Sequence, residues 1–297
     1  MRVSINYSTA AAGLVDSGEI QVDVFKCPAW PDLIDSLAER PVYVHFPLLL
    51  GRSAVIDSEA GAPADFDKIE RLREQTGTPF VNVHLAPLRT EYPEIPTQSN
   101  EPAHIEQIIA DATRGIRALQ ARFGTENVIV ENVPASDERL LWAGVMPQTI
   151  ERVVEQTGAG FLLDISHARL TAERLARDER EYLDSLPVAQ IREIHVTGIE
   201  FIDESKIAQL EALGIAESFY HRYIGRKVDH LPFNEVDWTE TAWAFDQIHA
   251  GRWQAPEIVA FEYGGVGGMW EKIADRDIIR QQVPRLYQMV KRAEPVR

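Results

Sequence analysis

Apolar residues along this chain gather in short, nearly unbroken runs, and between the runs they recur three and four positions apart. The runs are RVSIN (2–6), IQVDVF (20–25), VYVHF (42–46), FVNVHL (80–85), NVIVEN (127–132), GFLLDI (160–165), REIHVT (192–197) and IVAFEY (258–263). Each is rich in β-branched or aromatic residues, and a run without a polar face fits a parallel strand covered on both sides. The segments between them predict helices. WPDLIDSLAER (30–40) carries a proline suited to a first helical turn. DFDKIERLREQTG (65–77), HIEQIIADATRGIRALQARFG (104–124) and PQTIERVVEQTG (147–158) each stop on a glycine. TAERLARDEREYLDSL (171–186), TETAWAFDQIHAG (239–251) and DIIRQQVPRLYQMVKRA (277–293) complete the series, and Pro284 is expected to kink or split the last. The segment after the first strand, STAAAGLVDSGE, has room for at most a short helix.

Eight strands alternating with helices predict an α/β fold, a (β/α)8 TIM barrel, as a single domain over residues 1–297. A doubly wound open sheet is the alternative. It would more often carry a glycine-rich first turn, and no GxGxxG follows the first strand. Two connections, 86–103 and 198–236, are long for loops. Long βα loops shape active sites, and the prolines and aromatics of 86–103, read as exposed, suit a lid or a partner surface.

Charge narrows the function classes. Acidic residues number 46 against 30 basic ones, a formal charge of −16 that disfavours general nucleic-acid binding. Cys27 is the only cysteine, so no intrachain disulfide can form. The N-terminus lacks the apolar core of a signal peptide, and no run approaches the ~20 apolar residues of a membrane span. These features predict a cytoplasmic protein without membrane association.

The chemistry gathers at the strand ends, where barrel enzymes carry their catalytic groups. His45 closes the third run, His84 the fourth and Glu131 the fifth; Asp164 and His167 follow on the sixth, His195 on the seventh and Glu262 on the eighth. Asp229 and His230 lie in the connection after the seventh. Singly, each has a plain explanation: a rim histidine, or an acid that caps the next helix. Jointly they ask for more, because five of the eight histidines and three acids fall on one predicted face. Three neighbouring buried carboxylates need cations, and imidazole with carboxylate oxygen suits zinc, manganese and iron alike. The stretch FLLDISHARLTA (161–172) poses the choice most sharply, since Asp164 or Ser166 can cap a helix while Asp164 and His167 can reach a site.

The order His, His, Glu, Asp-x-x-His, His, Asp/His, Glu resembles the xylose-isomerase-like TIM-barrel superfamily, which includes endonuclease IV and sugar isomerases. VIVENVPAS (128–136), LLDISHARLTA (162–172), IHVTG (194–198) and AFEYGG (260–265) are most similar to the multinuclear non-haem iron-dependent oxidases. The resemblance spans about residues 2–285. It implies two or three divalent ions, iron first, with zinc or manganese as alternatives. It implies that Glu131 bridges two ions, with His45 and His84 on one and Asp164, His195 and Glu262 on the other. His167 would join an aspartate and a histidine from the strand-seven loop on a third. There this chain departs from the family's Asp-x-His, because Asp229 and His230 are adjacent, and Asp237 or His221 are candidate substitutes.

Three activities share such a scaffold. An iron oxidase would oxidise a small molecule or a peptide side chain, with Glu131, Glu262 and His167 as the catalytic groups. A sugar isomerase or epimerase would use one ion as a Lewis acid, on Glu131, Asp164, His195 and Glu262 but without His45 and His84. A zinc phosphodiesterase of the endonuclease type would need all nine ligands and a basic groove. The charge weighs against the last, and His45 and His84 against the second. Weaker candidates for substrate contact are Lys26, which could instead pair with a ligand carboxylate, Asn132 beside Glu131, and Trp270 beside GGVGG (264–268), a glycine loop placed where barrels often bind phosphate.

Overall fold

The computed structural model describes residues 1–136 and 138–292. The chain forms two compact units. One comprises Met1–Cys27 with the chain from His195 onward, here the terminal unit; the other is Pro28–Ile194, the central unit. Among the described residues no helix is long and apolar enough to cross a membrane.

In the terminal unit, strand Arg2–Asn6 lies between Val24–Pro28 and Ile258–Phe261, parallel to both. Val3 and Ile5 are fully buried in this stretch, as a strand covered on both faces requires. The run expected at 20–25 forms its strand only from Val24. The reason is Asp23, whose carboxylate accepts the Val3 N–H at 2.7 Å and makes the preceding residues a link. The connection 198–236 is structured. Gly198–Ile202 and Arg226–Leu231 form an antiparallel hairpin, with helices Ile207–Ala212 and Glu217–Tyr220 between them. Ile215 and Tyr220 pack there with Met269 and Trp270. Helix Arg276–Lys291 runs through Pro284 without a split, and Ala293, its expected last residue, lies outside the described residues.

In the central unit, Gly160–Asp164, Val128–Glu131 and Val81–His84 pair in parallel, and Leu48–Leu50 joins them through Leu49 opposite His84. Leu48–Leu50 also opens a small antiparallel meander with Val55–Asp57 and Ala62–Pro63, which hydrophobic patterning alone did not predict. The helix Phe66–Thr76 starts on Asp65, whose side chain accepts the Lys68 N–H, and stops on Gly77 in the left-handed conformation. The helix expected at 171–186 is instead two, Ile165–Arg174 and Glu179–Asp184. Ala176 breaks it with a φ of 51°, and Asp178 caps the second piece. The connection 86–103 is pinned down. Tyr92, expected to be exposed, is buried and donates to Asp111 at 3.2 Å, and Leu88 bridges to Leu140.

Candidate metal centre

Parallel register sets the geometry of the central unit. Val83 pairs with Val130 and His84 with Glu131, so both side chains arrive at the same level where their strands stop. Glu131 is 1% exposed. Its Oε2 lies 3.1 Å from His84 Nε2 and 3.5 Å from His45 Nε2, while its Oε1 lies 3.9 Å from His167 Nδ1. The His45 and His84 rings meet edge to face, with centroids 5.5 Å apart.

Carbonyl partners fix which ring nitrogens can bind a metal. His84 Nδ1 lies 2.9 Å from the Leu48 carbonyl, and His167 Nδ1 lies 2.9 Å from that of Asn132. A carbonyl only accepts, so each Nδ1 is the donor, and Nε2 is the nitrogen left to bind a metal when the ring is neutral. Asn82 acts on His45. Its Oδ1 accepts the Phe46 N–H at 2.8 Å, which identifies Nδ2 as the donor, and Nδ2 lies 3.1 Å from His45 Nε2. Sequence reading missed Asn82, although a lone amide in the apolar run FVNVHL is a visible signal.

Asp164 has two duties. It ends its strand and is the N-cap of helix Ile165–Arg174, its Oδ1 accepting the His167 N–H at 2.7 Å. Its Oδ2 lies 3.5 Å from His167 Nδ1, is buried, and accepts no hydrogen bond among the described residues. Asn132 holds the aspartate in place. Its amide donates to the Asp164 carbonyl and accepts the Asp164 N–H, both at 2.9 Å. One residue is therefore both helix cap and candidate ligand, and Ser166 is not the cap.

These residues fit a divalent metal ion. Ligand atoms of Glu131, Asp164 and His167, all in one strand-end group, lie within 4.8 Å of one another. Two carboxylates withdrawn from water are costly without a cation, and an unbonded buried oxygen such as Asp164 Oδ2 is what a metal would engage. Mixed imidazole and carboxylate donors suit iron, zinc or manganese.

The terminal unit builds a second carboxylate centre around Glu262, which follows strand Ile258–Phe261 and is 3% exposed. Its backbone N–H donates to the Val196 carbonyl at 2.9 Å, which holds it beside the end of strand Ile191–Val196. Its Oε1 takes the Lys26 ammonium and lies 3.2 Å from Nδ1 of the fully buried His195; its Oε2 lies 3.9 Å from His230 Nε2. Lys26 thus pairs with a carboxylate, one of the two readings open from sequence.

The adjacent Asp229 and His230 sit on the hairpin, both half-buried. Register there runs from Gly198–Leu231 to Glu200–Val228, so three steps on one strand face two on the other. This is a β-bulge, which re-aims side chains and interrupts the alternation of neighbours. His230 has a φ of 60°, a left-handed conformation that is uncommon outside glycine. Its ring stands 5.1 Å from that of Trp270. Asp237 and His221 do not enter the cluster around Glu262. Asp237 closes a capping box with Asn234, and exposed His221 lies 2.9 Å from Glu217 on its own helix turn. In the glycine loop, the Gly267 N–H already donates to Glu271. Burial pushes the Cys27 thiol up to about 12, which keeps it from acting as a nucleophile.

A family model described as "RiPP precursor modification enzyme MbnB/TglH/ChrH" matches residues 33–213, more than half of the chain. The chain belongs to this family. It is the multinuclear non-haem iron-dependent oxidase family that the strand-end motifs resemble. The matched segment includes His45, His84, Glu131, Asp164, His167 and His195, and leaves Lys26, Asp229, His230 and Glu262 outside it. A "UPF0276 protein" of Caulobacter vibrioides is 27% identical over 168 residues, 54% of this chain and 55% of the relative. Another, of Paraburkholderia phytofirmans, is 27% identical over 119 residues, 38% of each. The chain spans about half the length of the Caulobacter relative that it matches. Among solved structures, a "xylose isomerase domain containing protein" from Salmonella typhimurium LT2 is 15% identical with a TM-score of 0.52, covering 97% of both chains. That likeness shows the fold, which is of the xylose-isomerase-like α/β barrel class.

Proposed function

We propose that this chain is a metal-dependent oxidase acting on a peptide or a small molecule. Its ions, iron in the first instance, would be held by His45, His84, Glu131, Asp164 and His167. The observation that carries the reading is Glu131, whose Oε2 faces the Nε2 atoms of His45 and His84 while its carboxylate also groups with ligand atoms of Asp164 and His167 within 4.8 Å. A carboxylate that faces two such sets is suited to sharing between ions. His195, Asp229, His230 and Glu262 are proposed as further ligands. Membership of a family of precursor-modifying enzymes supports a peptide as the substrate class.

Bound iron would supply the dioxygen activation and electron transfer that protein side chains lack. The chain's own groups do the rest. Carbonyl oxygens of Leu48 and Asn132 fix the tautomers of His84 and His167. Asn132 fixes the backbone of Asp164. Where its Nε2 is not taken by an ion, His167 is the group proposed to move a proton, with Glu131 and Glu262 as the carboxylates that share charge with the reacting centre. An isomerase using one ion would leave His45 and His84 without a role, and their approach to Glu131 favours the oxidase.

Elemental analysis of protein purified without a chelating tag tests this reading. Two or three equivalents of iron, followed by oxygen uptake with candidate peptides, is the expected result. Close to one equivalent of manganese, magnesium or cobalt would turn the assignment toward an isomerase, and a zinc cluster toward hydrolysis. Absence of metal, with no thermal stabilisation by added iron, manganese or zinc, would overturn it.

A further inference from the structure

An ammonium seated on one carboxylate oxygen sets the Glu262 centre apart. Around Glu131 the close partners are imidazoles, whereas Glu262 has an ammonium seated on Oε1. Lys26 is 6% exposed, so its charge is withdrawn from water together with that of Glu262. The backbone enforces the meeting. Strand Val24–Pro28 sets Lys26 opposite Asn6, and Glu262 directly follows Phe261, the partner of Ile5 on the other side of the same strand. The two side chains therefore reach toward each other across the end of strand Arg2–Asn6. Both lie outside the segment that the family model matches, so the pairing is read from this structure alone.

We propose that Lys26 is a resident cation of the Glu262 centre, filling a position that a metal ion would otherwise take. A buried carboxylate needs a positive neighbour, and either an ammonium or a metal can provide it. With Lys26 on Oε1, Glu262 offers an incoming ion only Oε2, the oxygen that faces His230. Glu262 and His230 then hold a divalent ion weakly, and Lys26 sets how many ions the chain retains. This inference rests on Glu262 being a metal ligand, as proposed above.

The test is anaerobic titration of the whole chain with Mn(II), read by equilibrium dialysis and elemental analysis, for wild type, Lys26→Met and Lys26→Arg. The expected result is one further equivalent in Lys26→Met, or the weakest site tightened by about tenfold or more, within the usual range of coupling between two ligands. Lys26→Arg, which keeps the charge, should match wild type. The gain should vanish in Lys26→Met/Glu262→Gln. Identical stoichiometry and affinity in wild type and Lys26→Met would overturn the proposal, as would loss of metal in Lys26→Met. A second measurement needs no metal. In chelator, Lys26→Met should melt below wild type, and adding Glu262→Gln should recover part of the loss, because the uncompensated carboxylate is then neutral. No recovery would overturn the counter-ion role. A wild type that binds no Mn(II) or iron would sink the oxidase reading itself, an outcome distinct from metal binding that ignores Lys26.

Discussion

Glu131 and Glu262 are both buried strand-end glutamates, yet the central unit surrounds the first with imidazoles and the terminal unit gives the second a lysine. The contrast separates two ways of keeping a carboxylate away from water. A neutral imidazole whose Nδ1–H is held by a backbone carbonyl presents a lone pair and brings no charge, so its carboxylate neighbour still needs a cation. An ammonium supplies the charge directly and needs nothing further. The same residue type at the same place on a strand is therefore prepared for a metal in one unit and partly neutralised in the other.

Substitutions at four positions sharpen or break this contrast. The largest effect is expected for Glu131→Gln. It should lose activity by more than about a hundredfold, beyond the usual cost of disturbing a ligand's supporting partner, and should lose bound metal on elemental analysis. Retained metal with retained activity would remove Glu131 from the centre. Asp164→Asn should weaken metal binding by at least about tenfold while keeping the helix cap, since the amide oxygen can still accept the His167 N–H. Asp164→Ala should lose both, with about 1 kcal/mol of additional stability gone in a denaturant titration. Equal stability of the two variants would argue that the cap contributes nothing.

In the terminal unit the expected effects fall on stability first. A Cβ on Gly198 would overlap the Pro232 carbonyl, where the hairpin strands cross closely. Gly198→Ala should therefore cost about 1–3 kcal/mol, the usual penalty of overpacking, seen as a lowered urea midpoint. An unchanged midpoint would mean that the hairpin shifts freely. Asp237→Ala should cost about 1 kcal/mol through its lost capping contact and leave metal content unchanged. A drop in bound metal would return Asp237 to the ligand set.

Much of this was written in the sequence, for identifiable reasons. Runs such as NVIVEN and FVNVHL have no polar face, so their strands and their closing His84 and Glu131 could be read directly. Glycines at 77 and 158 mark helix ends because both adopt the left-handed conformation. The hairpin and meander were missed because their strands are partly exposed and lack the unbroken apolar runs of the core strands. The bulge at Asp229 and His230 could not be seen, since it depends on a partner strand nearly thirty residues away. The Lys26–Glu262 pairing joins residues 236 positions apart, and only the parallel register of three strands brings them together.

The two oxygens of Asp164 also give the molecule a gauge of its own occupancy. One oxygen receives the His167 amide proton, while the other faces the candidate metal position. A ligand that draws on the second oxygen must stiffen or loosen the grip of the first. Solvent exchange of that single backbone proton, followed by mass spectrometry or NMR, would then report whether the Asp164 position is filled in a sample with no substrate known and no colour to follow.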